Sequence, residues 1–356
     1  DDQDAPTGVE PFILDSDTPS QPTEFELKLY INGKKYIYQL ILSPKDILSE
    51  KLHVYNSNQP SLLMHRELVD SNTALKFNQS LIKVSAAVKD ELTAKCLKNM
   101  SLFAARKAVN CNLGEIDDVR DWMINHTLPV IDLGQKMFNY AERNMLENPD
   151  AKKHLLDFCH NIGFNIEDMA VEKDYMSLTP EMIQFIKSSG QLSDENASKL
   201  SKDPKMPNGF KTDFIVSVIN KRGKEIYTLP KASQSEGTLR AMGIETALYV
   251  AEQNNKLLPI DEIETSMHPL LLKFMIQSFL KVQSRSQLLL TTHYDPLFTA
   301  VDDYLRKDSF WLMDKRDDGH SELYPLISKN GVNKMRSLQR AYLNNKLGAL
   351  PQIANV

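Results

Sequence analysis

Two short apolar runs, each followed by polar residues, constrain the fold of this chain more than any other feature. Leu257–Ile260 leads directly into Asp261 and Glu262, and Leu288–Leu290 leads, after two threonines, into His293. A helix-like stretch separates the runs, which predicts neighbouring parallel strands of an α/β sheet. The carboxyl ends of such strands meet at one edge, where ligands bind. A Mg²⁺-holding aspartate, a water-polarising glutamate and a histidine at one edge suit nucleotide hydrolysis.

A third element lies about twenty residues before the acidic pair. Gln234–Arg240 leads into an apolar-periodic helix predicted at Met242–Glu252. Gly237 and the small hydroxyl residues can expose backbone N–H groups at the helix N-terminus, which is an anion site by geometry and dipole. An ordinary N-cap at Ser235 or Thr238 would explain the same residues.

In this order the elements resemble the signature loop, Walker B motif, D-loop and switch histidine of ABC-type ATPases. The corresponding residues are Gln234–Thr238, Leu257–Glu262, Thr265–His268 and His293. The run Ile-Asp-Glu-Ile-Glu-x-Ser-x-His-Pro is similar to the OLD-like and AAA-labelled ATP-binding proteins of bacterial phage-defence and abortive-infection systems. The hairpin Glu24–Leu42 and the tail Tyr342–Pro351 resemble the same proteins. The resemblance covers roughly the first eighty and the last hundred and fifty residues.

The resemblance implies an α/β fold, with an ABC-ATPase-like P-loop NTPase core, an antiparallel β meander and a helical insertion arm. It implies ATP and Mg²⁺ as cofactors. Asp261 would hold the metal, Glu262 would activate the attacking water and His293 would contact the γ-phosphate. The nucleotide-binding set comprises Asp261 together with the signature-loop and D-loop residues Ser235, Glu236, Gly237, Thr238, Ser266 and His268.

One motif of the family is missing from the sequence. No segment reads G-x-x-x-x-G-K-[ST], the loop that cradles phosphates. Gly33-Lys34 falls in a predicted hairpin turn, and Gly223-Lys224 lies between strand-like runs. In the family the P-loop precedes the hairpin, so we expect it upstream of Asp1. The alternative is a degenerate ATPase that binds nucleotide without hydrolysing it.

Composition limits the class of protein. The 356 residues, 42% of them hydrophobic, suffice for a large core. A net charge of −5 does not favour a general nucleic-acid coat. The three cysteines have no paired spacing, which is typical of a reducing cytoplasm. No apolar run approaches the roughly 18 residues that span a bilayer. These features predict a cytoplasmic protein without membrane partners.

The chain is predicted to have three parts. Residues 1–83 form the N-terminal part of the ATPase core, residues 84–209 a helical insertion and linker, and residues 210–356 the C-terminal part of the core. Alternating apolar residues around Asn32-Gly33 predict a type I′ hairpin. Val84–Gly190 is predicted to be helical, and Ser189–Gly209 is predicted to be a mobile linker.

Several functions fit this organisation. The first is an ATPase that forms a homodimer, or a higher even oligomer, around ATP and gates a separate effector, a nuclease or toxin, in antiviral defence. The alternatives are an SMC-like ATP-dependent DNA clamp and an ATP-binding scaffold with little turnover. The insertion mixes lysines with acidic residues. It therefore lacks the one-sign stripe that phosphate binding needs, which favours a protein over DNA as its partner.

Overall fold

The computed structural model describes residues 4–188, 194–301 and 303–351. The chain divides into two compact units, one formed by Asp1–Thr127 with Leu305–Val356 and the other by Leu128–Tyr304. These boundaries differ from the predicted ones at 83/84 and 209/210, because the middle segment 84–209 is shared between the units. A role for that segment as an arm stays a prediction.

The first unit begins with an antiparallel meander in which each strand pairs with the next along the chain. The predicted hairpin is confirmed, since Asn32 and Gly33 have φ values of 51° and 80°. A type I′ turn needs positive φ at both central residues, and asparagine and glycine tolerate it best. The strands are β1 Thr23–Ile31, β2 Lys34–Leu42, β3 Ile47–Tyr55, β4 Ser61–Val69 and β5 Asn72–Phe77.

Three helices cover the apolar face of the meander, namely α1 Ala86–Lys95, α2 Leu102–Ala105 and α3 Glu115–Asn125. Two fully buried charged residues tie the chain before α2 to the sheet. Arg66 donates to the carbonyl oxygens of Leu97 and Lys98 at 3.1 and 2.9 Å. Glu50 accepts from the Tyr38 hydroxyl at 2.9 Å and from the Leu102 N–H at 2.6 Å.

The second unit starts with an extended segment and continues with α4 Phe138–Glu147, α5 Pro149–Asn161, β6 Ile166–Ser177, α6 Pro180–Ser188, α7 Asp194–Lys202, β7 Lys205–Asn220 and β8 Gly223–Pro230. Then follow α8 Glu236–Asn254, β9 Leu257–Ile260, α9 Pro269–Lys281 and β10 Gln287–Leu290. The α8 helix is buried on several sides by its neighbours α4, α5 and α9. The first turn of α8 lies against the loop that follows β9.

Two predictions in the middle of the chain are wrong. Val84–Gly190 is not helical throughout, because β6 is a strand that pairs antiparallel with β7 over eleven positions. Its strand conformation depends on this partner about forty residues away, which local periodicity does not register. Ser189–Gly209 is not a linker from residue 194 onward, where α7 and the start of β7 lie. Residues 189–193 lie outside the described residues.

The last segment returns to the first unit. Two late strands form an antiparallel pair, β11 Trp311–Lys315 and β12 Ser321–Pro325. The final helix, α10 Leu338–Leu343, begins after Ser337, whose side chain caps it.

Candidate functional site

The acidic pair lies at the end of a small parallel arrangement in the second unit. β9 and β10 pair in parallel, as the sequence predicts. On the other side of β9, the Ile131 N–H donates to the Pro259 carbonyl at 3.0 Å, and the Asp261 N–H donates to the Ile131 carbonyl at 2.8 Å. Three extended segments therefore end together where Asp261 begins the loop. In an open α/β sheet this edge is where ligands bind.

Thr291, the first residue after β10, joins that strand to the acidic pair. Its hydroxyl donates to the Asp261 carboxylate and accepts from the Glu262 N–H at 2.8 Å. The Ile263 N–H in turn donates to the Thr291 carbonyl at 3.2 Å. One oxygen of Asp261 is thus held in place, and the other can still face a metal ion. Sequence reasoning passed over Thr291, although the Thr-Thr-His run marks a polar strand end.

The loop after β9 is tightly wound. Glu262 has a φ of 43° and Ser266 a φ of 61°, a region that non-glycine residues rarely adopt. The Thr265 N–H donates to the Glu262 carbonyl at 3.1 Å, and the Met267 N–H donates to the Glu264 carbonyl at 3.0 Å. Strained backbone of this kind persists only where the surroundings hold it, and it concentrates at functional sites.

Glu264 connects this loop to the predicted switch histidine. Its Oε1 atom accepts a hydrogen bond from the His293 N–H at 2.7 Å. The structure therefore brings His293, which is exposed, to the same edge as Asp261 and Glu262. Glu264 was not among the predicted site residues. Its position two residues after the acidic pair is the sequence signal that could have identified it.

The predicted anion loop forms the N-terminus of α8. Ser235 is the N-cap, and its hydroxyl accepts from the Thr238 N–H at 3.0 Å and contacts the Thr238 hydroxyl at 2.8 Å. The ordinary N-cap that the sequence left open is therefore present. Glu236 begins the helix and is exposed. A capped helix N-terminus still presents its remaining N–H groups and its dipole to an anion.

Gly237 lies against the D-loop-like turn of the same chain. A Cβ atom at this position would lie 2.3 Å from the carbonyl oxygen of Ser266, closer than any real contact. The contact with Ser266 is therefore enough to require glycine at position 237, whether or not a phosphate also binds there. The start of α8 and the turn at Ser266 form one surface.

His268 also has a local role. Its Nδ1 atom accepts from the Leu270 N–H at 3.2 Å, and Pro269 occupies the first turn of α9. This cap anchors the end of the D-loop-like turn. A contact of Ser266 and His268 with a second subunit stays a prediction.

The residues present fit Mg²⁺ bound together with a nucleotide. Among the described residues no group of three or more His, Cys, Asp and Glu side chains is arranged to hold a metal ion. Mg²⁺ usually keeps several waters and takes one or two carboxylates plus substrate phosphates, rather than an all-protein cage. Asp261, fixed by Thr291 at the end of β9, is suited to that arrangement.

A family model matches residues 2–299, and its description is "AAA domain, putative AbiEii toxin, Type IV TA system". The chain belongs to this family. The AAA domain places the protein among α/β P-loop NTPases and supports ATP binding and hydrolysis with Mg²⁺. No curated protein matches the sequence. Within the described ranges of this AAA-family chain, no helix is both long and apolar enough to cross a membrane.

Proposed function

We propose that this AAA-family protein is an ABC-like ATPase that dimerises around ATP and gates a separate effector in antiviral defence. The ATPase assignment rests on the hydrogen bonds that join the ends of β9 and β10. Thr291 and Glu264 hold the Asp261 carboxylate and the His293 backbone at one edge. The family description, with its toxin–antitoxin wording, supports the defence role.

The catalytic roles follow from phosphoryl transfer, which needs positioning and charge neutralisation more than covalent chemistry. Bound Mg²⁺ would neutralise charge on the phosphates. Asp261 would hold the metal through its carboxylate. Glu262, adjacent on the strained loop, would orient the attacking water and accept its proton. His293 would donate to the γ-phosphate oxygen. Each group must stay within about 3 Å of its target atom.

The remaining predicted site residues are proposed to act on the other subunit of the dimer. The α8 N-terminus would meet a γ-phosphate in trans, through Ser235, Glu236, Gly237 and Thr238. The turn at Ser266 and His268 would carry the contact between subunits. Ser235, Glu236, Ser266 and His268 are all exposed, and the start of α8 contacts the turn at Ser266. This exposure supports a contact with a second subunit. ATP would then bridge two copies, so that nucleotide state and dimerisation are linked.

Substituting Glu262 by glutamine tests this proposal in the full-length protein. The amide keeps the shape of the side chain but cannot accept the proton from water. Hydrolysis should therefore fall by about a hundredfold or more, while ATP binding persists. Turnover measured by phosphate release, nucleotide affinity and molar mass by light scattering should together show an ATP-locked dimer.

The matched control is Glu172→Gln on exposed β6, which should change none of the three measurements. Loss of ATP binding in Glu262→Gln would show that the two carboxylate roles are wrongly assigned. A monomer at saturating ATP would contradict the dimer.

A further inference from the structure

The side chain of Arg240 is buried near the start of α8, and it has no anionic partner among the described residues. It is 7% exposed, and its Nη1 atom donates to the Asp132 carbonyl oxygen at 3.4 Å, which is long for such a bond. Within the described residues its Nε and Nη2 atoms have no hydrogen-bond partner. A buried guanidinium is stabilised only when an opposite charge and further hydrogen bonds compensate its loss of water.

Glu264 has the opposite deficiency. Its Oε1 atom accepts from the His293 N–H, while its Oε2 atom is buried and lacks a hydrogen-bond partner in the described part of the chain. A buried carboxylate oxygen without a donor is unfavourable for the same reason as an unpaired cation.

The two residues lie on segments that touch. Gly237, three residues before Arg240 and therefore on the same helix face, meets the carbonyl of Ser266, two residues after Glu264. Long side chains on a helix tend to lean toward its N-terminus, which favours an approach of Arg240 to this contact.

Three other carboxylates of the neighbourhood are each bonded elsewhere through at least one oxygen. Asp261 accepts from Thr291, and Glu245 is bonded to His154. Asp132 accepts from the Gly134 N–H and from the Gln135 side chain within its own turn. Glu245 also has an Oε2 atom without a partner in the described residues, but it lies five residues after Arg240 on α8, a spacing that places the two side chains on different faces of the helix. Glu264 is therefore the carboxylate with an unpaired oxygen on the segment that the start of α8 contacts.

We propose that Arg240 and Glu264, which lie on segments already in contact, form an ion pair in the ATP-bound state, and that this pair positions His293. The proposal rests on the proposed ATPase function. In the present structure the two side chains are apart. Pairing would satisfy both groups, and it would couple the signature-like helix to the backbone of His293 through Glu264. A pair that is broken in one state and formed in the other can couple two sites, here the start of α8 and His293.

A double-mutant cycle in the full-length protein tests the pairing. Arg240→Gln and Glu264→Gln should each lower kcat for ATP about tenfold, with KM nearly unchanged. The double variant should be no slower than the slower single variant, because both substitutions remove the same interaction. Arg240→Lys should retain part of the rate. The charge exchange Arg240→Glu with Glu264→Arg should recover part of it. The controls are Arg222→Gln and Glu172→Gln at exposed positions of the same unit.

A second measurement separates positioning from a purely structural role. Without nucleotide, Arg240→Gln should melt within about 2 °C of the wild type, because the removed charge has no ionic partner in that state. A much larger fall would show a structural partner and overturn the proposal.

Multiplicative effects in the double variant would show that the residues act independently and would also overturn it, while leaving the ATPase function intact. So would loss of ATP affinity in Arg240→Gln alone, since that points to direct contact with nucleotide. A wild-type protein that neither binds nor hydrolyses ATP would contradict the function itself, and the pairing with it.

Discussion

Arg66 in the meander and Arg240 in α8 are both buried arginines, but their surroundings differ. Arg66 donates to the Thr73 hydroxyl and to the carbonyls of three residues, Ile47, Leu97 and Lys98. Arg240 makes one long bond. The carboxylates differ in the same way. Both oxygens of Glu50 accept hydrogen bonds, whereas Glu245 has one oxygen bonded to His154 and one without a partner in the described residues.

This difference separates a scaffold from a region that can change state. In the meander, Arg66 and Glu50 each have several hydrogen-bond partners, although Arg66 Nε has none in the described residues, so a rearrangement would break these bonds. Around α8, buried groups are left incompletely paired, so a second arrangement would gain bonds. Unsatisfied buried groups in a native structure need an explanation, and a functional state is one such explanation.

The largest expected effect lies in the scaffold. Replacing Arg66 by methionine removes its bonds to three carbonyls, of which those of Leu97 and Lys98 keep a backbone N–H donor, and leaves the buried Glu50 without a nearby cation. We expect a loss of about 3–5 kcal/mol in the free energy of unfolding. Both tryptophans of the chain, Trp122 and Trp311, belong to the same unit. Urea unfolding followed by tryptophan fluorescence therefore reports on it directly.

The exposed Arg336, in the same unit, supplies the control Arg336→Met, which should change stability little. If Arg66→Met cost less than about 1 kcal/mol, the contrast between the two buried arginines would lose its basis.

Gly237→Ala tests the contact between α8 and the turn at Ser266. The new methyl group would collide with the Ser266 carbonyl, so we expect about 1–3 kcal/mol of destabilisation, together with slower hydrolysis. Thermal unfolding and phosphate release measure the two effects.

Gly134→Ala is the matched control, because a Cβ atom there would make only an ordinary contact at 3.5 Å. A fully stable and active Gly237→Ala protein would mean that the start of α8 moves away easily. The region around α8 would then be more mobile than the proposed pairing requires.

The smallest expected effect concerns pH. Burial, and then the charge of Glu245, raise the pKa of Glu252 on α8 to about 7. The folded state therefore favours the protonated form. This contribution to stability is full below the ordinary pKa of 4.5 and is lost as pH rises through about 7. Glu252→Gln mimics the protonated form. The melting temperature of this variant should therefore rise relative to that of the wild type as the pH is raised from 5 to 8. The gain should be on the order of 2 °C, since the carboxyl is only half-buried.

Glu172→Gln should show no such trend, because Glu172 is exposed. A constant difference between Glu252→Gln and the wild type across the pH range would show that Glu252 does not titrate there.

The features that the sequence predicts correctly depend on neighbours along the chain. Asn32-Gly33 specifies its own turn, and the apolar runs before Asp261 and His293 specify β9 and β10. Ser235 caps α8 through the nearby Thr238.

The features that the sequence does not reveal arise between distant residues. Thr291 reaches Asp261 thirty positions away, and Arg240 reaches Asp132 over a separation of 108. These contacts form only after the strands and α8 have packed, so no local pattern encodes them. β6 was missed for the same reason, because β7 supplies the hydrogen bonds that make it a strand.

The left-handed backbone of Glu262 has a consequence for laboratory evolution. Glycine adopts this conformation with little strain, so Glu262→Gly would relax the loop and remove the proposed base in one step. Selection for thermal resistance alone would therefore favour inactive proteins at this position, and a screen for robust variants must score turnover as well as survival.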